Sequence, residues 1–388
     1  MLKFHAALVS SRASVGKLPT MKIDAIASPA WLSGRLHFID FLRAIAAQLI
    51  VWHHLAFYGP LSDIAHPLTP QLLDGLHFHA RMAVQVFLVI AGFVTAQHLE
   101  HLQGVSVRDF FMQVARRYRR TGGPYVVVLA IAIAANSLAG HWMDHRSISA
   151  PPSVAQLLAH VFYLQDVFGY QALSAGIWYL AIDFQLFALV LALTGLTRWM
   201  ARLLTLRPGT TAALTRVTLA CLAVASLFWF NRNSGFDHWA VYFFGAYFVG
   251  MVLRWTLAGV VASGYLWAYL VLMMAAVVIE WRVRLLVAAL TAAIVMLAAH
   301  RRILQQWPES PVIAYLGQTS FSLFLVHFPV CLVVNAWCSR FELSPGAAWM
   351  AMFFAYGASL AASAAFHRFV EQPFAYGRTR AIVWQRRA

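Results

Sequence analysis

The chain contains 388 residues, of which 61% are hydrophobic and only 11% are charged, and its mean hydropathy is +0.67. A soluble globular protein has about half apolar and about a quarter charged residues, so the composition excludes that class. The formal net charge of +15 comes mainly from arginine groups that flank apolar runs. This placement indicates orientation in a bilayer. It argues against nucleic-acid binding, because no basic stretch forms a soluble face with interleaved aromatic residues.

Apolar runs of about 20 residues, the length that spans a bilayer as an α-helix, recur along the whole chain. They predict an all-α, polytopic integral membrane protein with about ten transmembrane helices in a single bundle. The predicted spans are 38–58, 80–99, 124–141, 176–197, 216–231, 238–254, 260–279, 285–300, 311–337 and 346–367. No appended soluble domain is visible. We therefore divide the chain into an amino-terminal tail (1–37), a transmembrane domain (38–374) and a basic carboxyl-terminal tail (375–388).

Basic residues are distributed unevenly between the predicted loops. They are concentrated in the amino terminus, the 100–123 and 198–215 loops, Arg301–Arg302 and the carboxyl tail, and are few in the loops near 59–79, 142–175 and 232–237. The positive-inside rule therefore predicts that both termini are cytoplasmic. Arg282 and Arg284 fall on the outer side against this trend, and we expect Glu280 to pair with one of them.

The first span, FIDFLRAIAAQLIVWHHLAFYG, contains ionisable residues that are costly inside a membrane. Arg43 and His54 are eleven residues apart. On an α-helix this places them within about 20° of one face and about 16 Å apart along the axis. His53 points about 100° away from His54 and is the weaker candidate. Two structural interpretations stay open: Arg43 extends to the inner interface, or His54 is a core histidine hydrogen-bonded to a neighbour.

Two later spans carry further polar residues. Asp183 and Gln185 lie in the apolar stretch GIWYLAIDFQLFALV, and His327 lies two residues before Pro329 in YLGQTSFSLFLVHFPV. Counted from the predicted ends of their helices, His54, His327 and Asp183 reach a similar depth in the outer half of the bilayer. A carboxylate and two histidines at one depth indicate a site that handles protons.

Six motifs, in order from residue 38 to 374, resemble those of the membrane acyltransferase-3 family. FIDFLRAIAAQLIVWHH is similar to the family's Asp-Gly-Leu-Arg-Ala-Ile-Ala opening, with arginine, ten residues and then histidine. The other five are RMAVQVFLVIAGFVTAQHL, ARRYRRTGGP, IWYLAIDFQLF, YLGQTSFSLFLVHFPV and HRFVEQPF. The second motif departs from the family at Ala83, Gln85 and Ala91, where glycine, aspartate and serine are usual, and Asp183 stands where glutamate is usual.

The resemblance implies an enzyme of the bacterial inner membrane that transfers an acyl group to a hydroxyl of a carbohydrate or lipid-linked glycan. The donor would be acyl-CoA, usually acetyl-CoA, as a co-substrate, with no permanently bound cofactor. A hydroxyl is a poor nucleophile at neutral pH, and a neutral imidazole can remove its proton. We assign that role to His54, with Asp183 or His327 orienting it or contacting the acceptor.

The same resemblance implies where the two substrates bind. Arg43, Arg117 and Arg120 are expected to hold the phosphates of CoA, because guanidinium groups match phosphate oxygens. Residues in the matched motifs that we predict to contact substrate are Trp178, Gln85 and Ser320. The remaining histidines show no ligand cluster, so no metal site is expected. Glu371 is expected to cap a helix or to pair with Arg368.

Two other classes of function fit part of the pattern. Intramembrane arginine, histidine and aspartate also form proton pathways in transporters and flippases, although the sequence shows no repeated halves. Alternatively, the polar residues could only join helices in a non-catalytic interaction protein. Transfer of a labelled acyl group separates these hypotheses from the enzymatic one.

Overall fold

The computed structural model describes residues 29–376 except 33 and 103–105, and the regular elements in this part of the chain are all helical. The α-helices are α1 (His37–Phe57), α2 (Pro60–Ala65), α3 (Pro70–His79), α4 (Val84–Glu100), α5 (Val107–Ala139), α6 (Val154–Val161), α7 (Ile177–Leu203), α8 (Pro208–Phe228), α9 (Ala240–Leu257), α10 (Ser263–Ile279), α11 (Val283–His300), α12 (Pro311–Cys338), α13 (Pro345–Phe366) and α14 (Gln372–Tyr376). A π-helical segment, His367–Glu371, joins α13 to α14. The two predicted tails lie largely outside the described residues.

Eight helical stretches within the described residues are long and apolar enough to cross a membrane. They are Pro70–Glu100, Val107–Ala139, Ile177–Leu203, Pro208–Arg232, Ala240–Leu257, Val283–His300, Pro311–Cys338 and Pro345–Ala375. The apolar α10 is shorter, and α1 falls outside this group because its charged and imidazole side chains lower its hydropathy. All ten predicted spans coincide with helices, and the all-α, polytopic fold is confirmed.

The basic segment 100–123 is not the loop expected from the sequence, because α5 begins at Val107 and continues through it. A capping box starts the helix. Ser106 Oγ accepts a hydrogen bond from the Asp109 amide at 3.1 Å, and Asp109 Oδ2 accepts one from the Ser106 amide at 3.0 Å. Pro124 lies inside the helix. The arginines of this segment therefore lie on one continuous helix, which fixes their directions relative to one another.

Other segments expected to be loops are also largely helical. The 59–79 segment contains α2 and α3, and only 204–207 separates α7 from α8 in the 198–215 segment. Proline occupies the first position of α2, α3 and α8, where its missing N–H has no intrahelical partner to lose. The long 142–175 connection contains the short α6.

One of the two arginines on the predicted outer side, Arg282, hydrogen-bonds to helix ends, and the other, Arg284, donates to the Tyr242 hydroxyl. Arg282 is buried and donates hydrogen bonds to the Leu227 carbonyl at 2.9 Å and the Ala276 carbonyl at 2.7 Å. Both carbonyls lie near the C-terminal ends of helices, α8 and α10, where a cation is favourable. The expectation that Glu280 pairs with an arginine of its own loop is wrong, since its carboxylate pairs with Arg232 at 2.9 Å. The exception to the positive-inside pattern therefore has a structural cause.

Helices α4 and α9 are in close backbone contact at two glycines. A Cβ added at Gly92 would overlap the Tyr247 carbonyl oxygen, and one added at Gly250 would overlap the Val89 carbonyl oxygen. Small residues allow this approach where transmembrane helices pack. The Tyr247 hydroxyl and Thr95 Oγ1 share a hydrogen bond of 2.5 Å beside the contact. This crossing sets the position of α4, which forms one wall of the cavity described below.

Gly250→Ala should lower the melting temperature, because the added methyl group overpacks the crossing at a cost of about 1–3 kcal/mol. The matched control is Gly357→Ala on α13, where an added Cβ meets nothing within 4 Å. The control should leave the midpoint unchanged or raise it, since alanine favours a helix more than glycine. Thermal unfolding of the purified protein in detergent measures both. Equal melting temperatures for the two variants would contradict the close crossing.

Candidate active site

Two of the predicted histidines are in direct contact. His54 on α1 and His327 on α12 face each other with ring centroids 4.8 Å apart and ring planes inclined by 19°. His54 Nδ1 and His327 Nε2 are 2.6 Å apart, within hydrogen-bond distance. His327 is fully buried and His54 is 6% exposed. The histidine pair thus lies inside the bundle, at the contact between α1 and α12.

The surrounding bonds determine which nitrogen atoms carry protons. His327 Nδ1 lies 2.8 Å from the Leu323 carbonyl oxygen, which only accepts, so Nδ1 is the protonated nitrogen. In the neutral ring His327 Nε2 then accepts, and His54 Nδ1 donates to it. His54 Nε2 is therefore the unprotonated nitrogen of its ring. It has no hydrogen-bond partner among the described residues and is not fully buried. Such a nitrogen can accept a proton from a bound ligand.

Gly176 packs against the His54 ring. It precedes α7 with φ of +84°, a left-handed conformation that favours glycine. A Cβ placed there would lie 3.3 Å from His54 Cε1, so the absence of a side chain gives the imidazole its space. His53 faces elsewhere, with Nδ1 3.2 Å from the Leu76 carbonyl oxygen of α3. The two adjacent histidines therefore have different hydrogen-bond partners, His53 on α3 and His54 on α12.

A cavity of about 450 Å³ lies between α1, α4, α5, α7 and α12. This volume is in the range of small-molecule sites. Its charged lining residues are Arg43, Arg116, Arg117, Arg120, Asp183 and Glu371. Because arginines outnumber carboxylates four to two in this lining, the cavity favours an anionic ligand.

Helix α5 supplies the largest basic part of the cavity wall. Gln113, Arg116, Arg117 and Arg120 line it, and they occupy positions i, i+3, i+4 and i+7 of the helix. This spacing places all four on one face, whereas Arg119 lies on another face and is not part of the cavity lining. Arg116 was not among the predicted site residues. Its helical register with the two predicted arginines would have identified it, had the segment been recognised as a helix.

Asp183 contacts Arg117 and not the histidine pair. Asp183 Oδ2 and Arg117 Nη2 are 2.5 Å apart, and the guanidinium carbon lies 4.4 Å from the centroid of the Phe187 ring. The expected common depth of Asp183 and His54 does not hold. Gly176, at the start of α7, is already level with His54, so Asp183 lies seven residues or about 10 Å further along α7. The carboxylate belongs to the cavity.

Arg43 lines the cavity with only a distant carboxylate partner. Asp40 Oδ1 lies 3.9 Å from Arg43 Nη1, while the other oxygen of Asp40 binds Arg35 Nε at 2.6 Å. The stronger bond to Arg35 leaves most of the hydrogen-bonding capacity of the Arg43 guanidinium available to a ligand.

Glu371 is the second carboxylate of the cavity, and it does not make the expected pair with Arg368. Its Oε2 accepts from Ser322 Oγ at 2.5 Å and lies 2.8 Å from His367 Nδ1. Arg368 does not pair with it and instead stacks on the Phe369 ring, 5.6 Å from the centroid. The π-helical turn that contains Glu371 turns its side chain inward, and such turns are frequent at functional sites.

The three predicted substrate-contacting residues occupy different places. Ser320 lines the cavity, and its hydroxyl donates to the Gly317 carbonyl at 2.8 Å. Trp178 packs 5.5 Å from the Phe243 ring, outside the cavity lining. Gln85 is buried in the first turn of α4, also outside that lining. Among the described residues, no group of three or more His, Cys, Asp or Glu side chains is arranged to hold a metal ion.

Asp183→Asn should lower the free energy of unfolding by about 3–5 kcal/mol, because it leaves the Arg117 charge buried without its partner. Asp74→Asn removes a carboxylate from an exposed pair with His66 and should change stability by less than about 1 kcal/mol. Thermal unfolding of both variants in detergent is the measurement. A double variant, Arg117→Met with Asp183→Leu, should regain most of the loss. Asp183→Asn melting together with the Asp74→Asn control would be inconsistent with a buried ion pair.

Comparison with protein families gives a match over the part of the chain that forms the helical bundle. A family model described as an acyltransferase domain, Acyl_transf_3, matches residues 36–368. The matched range contains both histidines and every charged residue that lines the cavity except Glu371. Comparisons with curated proteins and with solved structures give no match.

Proposed function

The chain belongs to the acyltransferase-3 family, and from this premise we propose that it moves an acetyl group from acetyl-CoA to a hydroxyl of a carbohydrate or lipid-linked glycan. It is a multi-pass membrane acyltransferase. The family assignment favours this class over a transporter, a flippase or a non-catalytic interaction protein. We place the enzyme in a bacterial inner membrane, with the donor entering from the cytoplasm.

The cavity is the proposed donor site. CoA carries several phosphate groups, and Arg43, Arg116 and Arg120 line the cavity without a close carboxylate partner in the described residues. Guanidinium groups bind phosphate oxygens through paired, charge-assisted hydrogen bonds. Arg117 differs from these three because Asp183 already holds its Nη2. We therefore assign it to supporting the cavity wall.

His54 is the proposed general base. Its Nε2 takes the proton of the acceptor hydroxyl as the hydroxyl oxygen attacks the thioester carbonyl carbon. The new carbon–oxygen ester bond forms, the carbon–sulfur bond breaks, and the CoA thiolate leaves. The proton on His54 Nε2 then passes to the thiolate, which leaves the ester and CoA as products. No other reactant is required.

His327 is the proposed positioning residue. By accepting from His54 Nδ1, it holds the imidazole in the tautomer whose Nε2 is unprotonated. The same hydrogen bond strengthens when His54 becomes the imidazolium, since the donor is then charged. This is the arrangement of an activated base oriented by a third group. The observation that carries the proposal is the unpartnered His54 Nε2 beside an arginine-lined cavity.

His54→Gln should reduce acetyl transfer by about 10²–10⁴-fold, because glutamine retains hydrogen bonds but cannot act as a base. His53→Gln is the matched control on the neighbouring residue and should retain transfer within about threefold, since His53 faces α3. The measurement uses labelled acetyl-CoA and a glycolipid extract of bacterial membranes. Equal rates in the two variants would remove His54 from the mechanism.

A further inference from the structure

Three aromatic rings pack against one another at one end of the cavity. Helices α4, α7 and α12 each contribute several residues to the cavity lining. On each helix, the lining residue nearest to the level of His54 is aromatic: Phe87, Tyr179 and Phe324, respectively. Their ring centroids are 5.9 Å apart for Phe87 and Tyr179, 6.2 Å for Phe87 and Phe324, and 5.4 Å for Tyr179 and Phe324. Rings at these distances are in packing contact. The three rings therefore form a closed triangle, which we call the aromatic triad.

The other side of the aromatic triad faces the histidine pair. Phe324 Cζ lies 3.4 Å from the position of a Cβ on Gly176, and His54 Cε1 lies 3.3 Å from the same position. The ring centroids of Phe324 and His327 are 6.3 Å apart. The Phe324 ring thus lines the cavity and also packs beside the histidine pair. No residue of the histidine pair lines the cavity itself.

The aromatic triad and the arginines of α5 lie toward opposite ends of the cavity. Along α4 the lining runs from Phe87 to His98, eleven residues or about 16 Å. Gln113 and Arg116 lie near the His98 end, because α5 crosses the membrane in the opposite direction to α4. Phosphates held by the arginines would direct the rest of an elongated donor toward the triad. The acyl group is then the part that meets Phe324.

From this geometry we propose that the aromatic triad is a gate for the acyl group and that Phe324 limits its length. The proposal rests on the proposed function. A two-carbon acetyl group needs a small displacement of one ring to reach His54, whereas a longer chain must hold several ring atoms apart. Phe324 is 5% exposed and is enclosed by its partners, so it has little space into which it can move. Tyr179 and Phe87 are less buried and form the rest of the frame.

The test compares acetyl-, butyryl- and hexanoyl-CoA as donors for the purified full chain, with a glycolipid extract of bacterial membranes as the acceptor. Phe324→Ala opens the gate, and Phe324→Leu opens it less and guards against a folding defect. Phe353→Ala is the matched control. It removes the same side chain from a position that is 52% exposed and outside the cavity lining. The readouts are the rate of acyl transfer for each donor and the binding of CoA by calorimetry.

The wild type should prefer acetyl-CoA. Phe324→Ala should raise the ratio of hexanoyl to acetyl transfer at least tenfold, Phe324→Leu should raise it less, and Phe353→Ala should leave it unchanged. An unchanged ratio in either folded Phe324 variant, or a wild type that uses hexanoyl-CoA as fast as acetyl-CoA, overturns the gate while leaving the proposed function intact. A wild type that neither binds CoA nor transfers any acyl group overturns the proposed function, and the gate falls with it.

Discussion

The hydrogen bond between His54 Nδ1 and His327 Nε2 forms because α1 and α12 lie close enough for the two rings to meet. The two helices are in close backbone contact at Gly317, where an added Cβ would crowd the Asp40 backbone. The direction of the bond is set on α12, since the Leu323 carbonyl accepts a hydrogen bond from the only N–H of the neutral His327 ring. From these contacts follow the tautomer of His54, its unprotonated Nε2 and the place where a reacting hydroxyl would have to sit.

The energetics of charge explain why the cavity lies where it does. Arginines and carboxylates inside a membrane bundle are costly unless paired, hydrated or bound to a ligand. Asp183 and the Phe187 ring compensate Arg117, and Glu371 is held by Ser322 and His367. The remaining arginines keep an excess of positive charge that a bound anion would neutralise. A phosphate-rich donor would therefore also stabilise the folded protein, in proportion to its affinity and concentration.

Hydropathy was sufficient to predict helices at all ten spans, although ionisable side chains lower the hydropathy of α1 and α10 is shorter than the eight long apolar stretches. Helical periodicity and counting from the membrane surface also brought His54 and His327 to one level, where they meet. Counting failed for Asp183 because the start of α7 at Gly176 lies level with His54 and not at the membrane surface. The α5 extension was missed because a run of arginines has the composition of a cytoplasmic loop, although its capping box and i, i+3, i+4, i+7 spacing are typical of a helix.

The aromatic triad and the packing of Gly176 against His54 could not be predicted from the sequence. Phe87, Tyr179 and Phe324 come from three helices that are far apart along the chain, and each has the ordinary composition of an apolar span. Their meeting depends on how α4, α7 and α12 cross, which in turn depends on contacts such as the glycine crossing of α4 and α9. Periodicity gives the face of a helix that is buried but not the residue that it meets.

A structure of the protein bound to a non-hydrolysable acyl-CoA analogue is the most direct test of the donor site and its relation to His54. The phosphates should lie within hydrogen-bond distance of Arg43, Arg116 or Arg120, and the acyl end should lie at Phe324, on the path to His54. An analogue bound outside the cavity, or bound with its phosphates against Phe324 and its acyl group among the arginines, would contradict this arrangement.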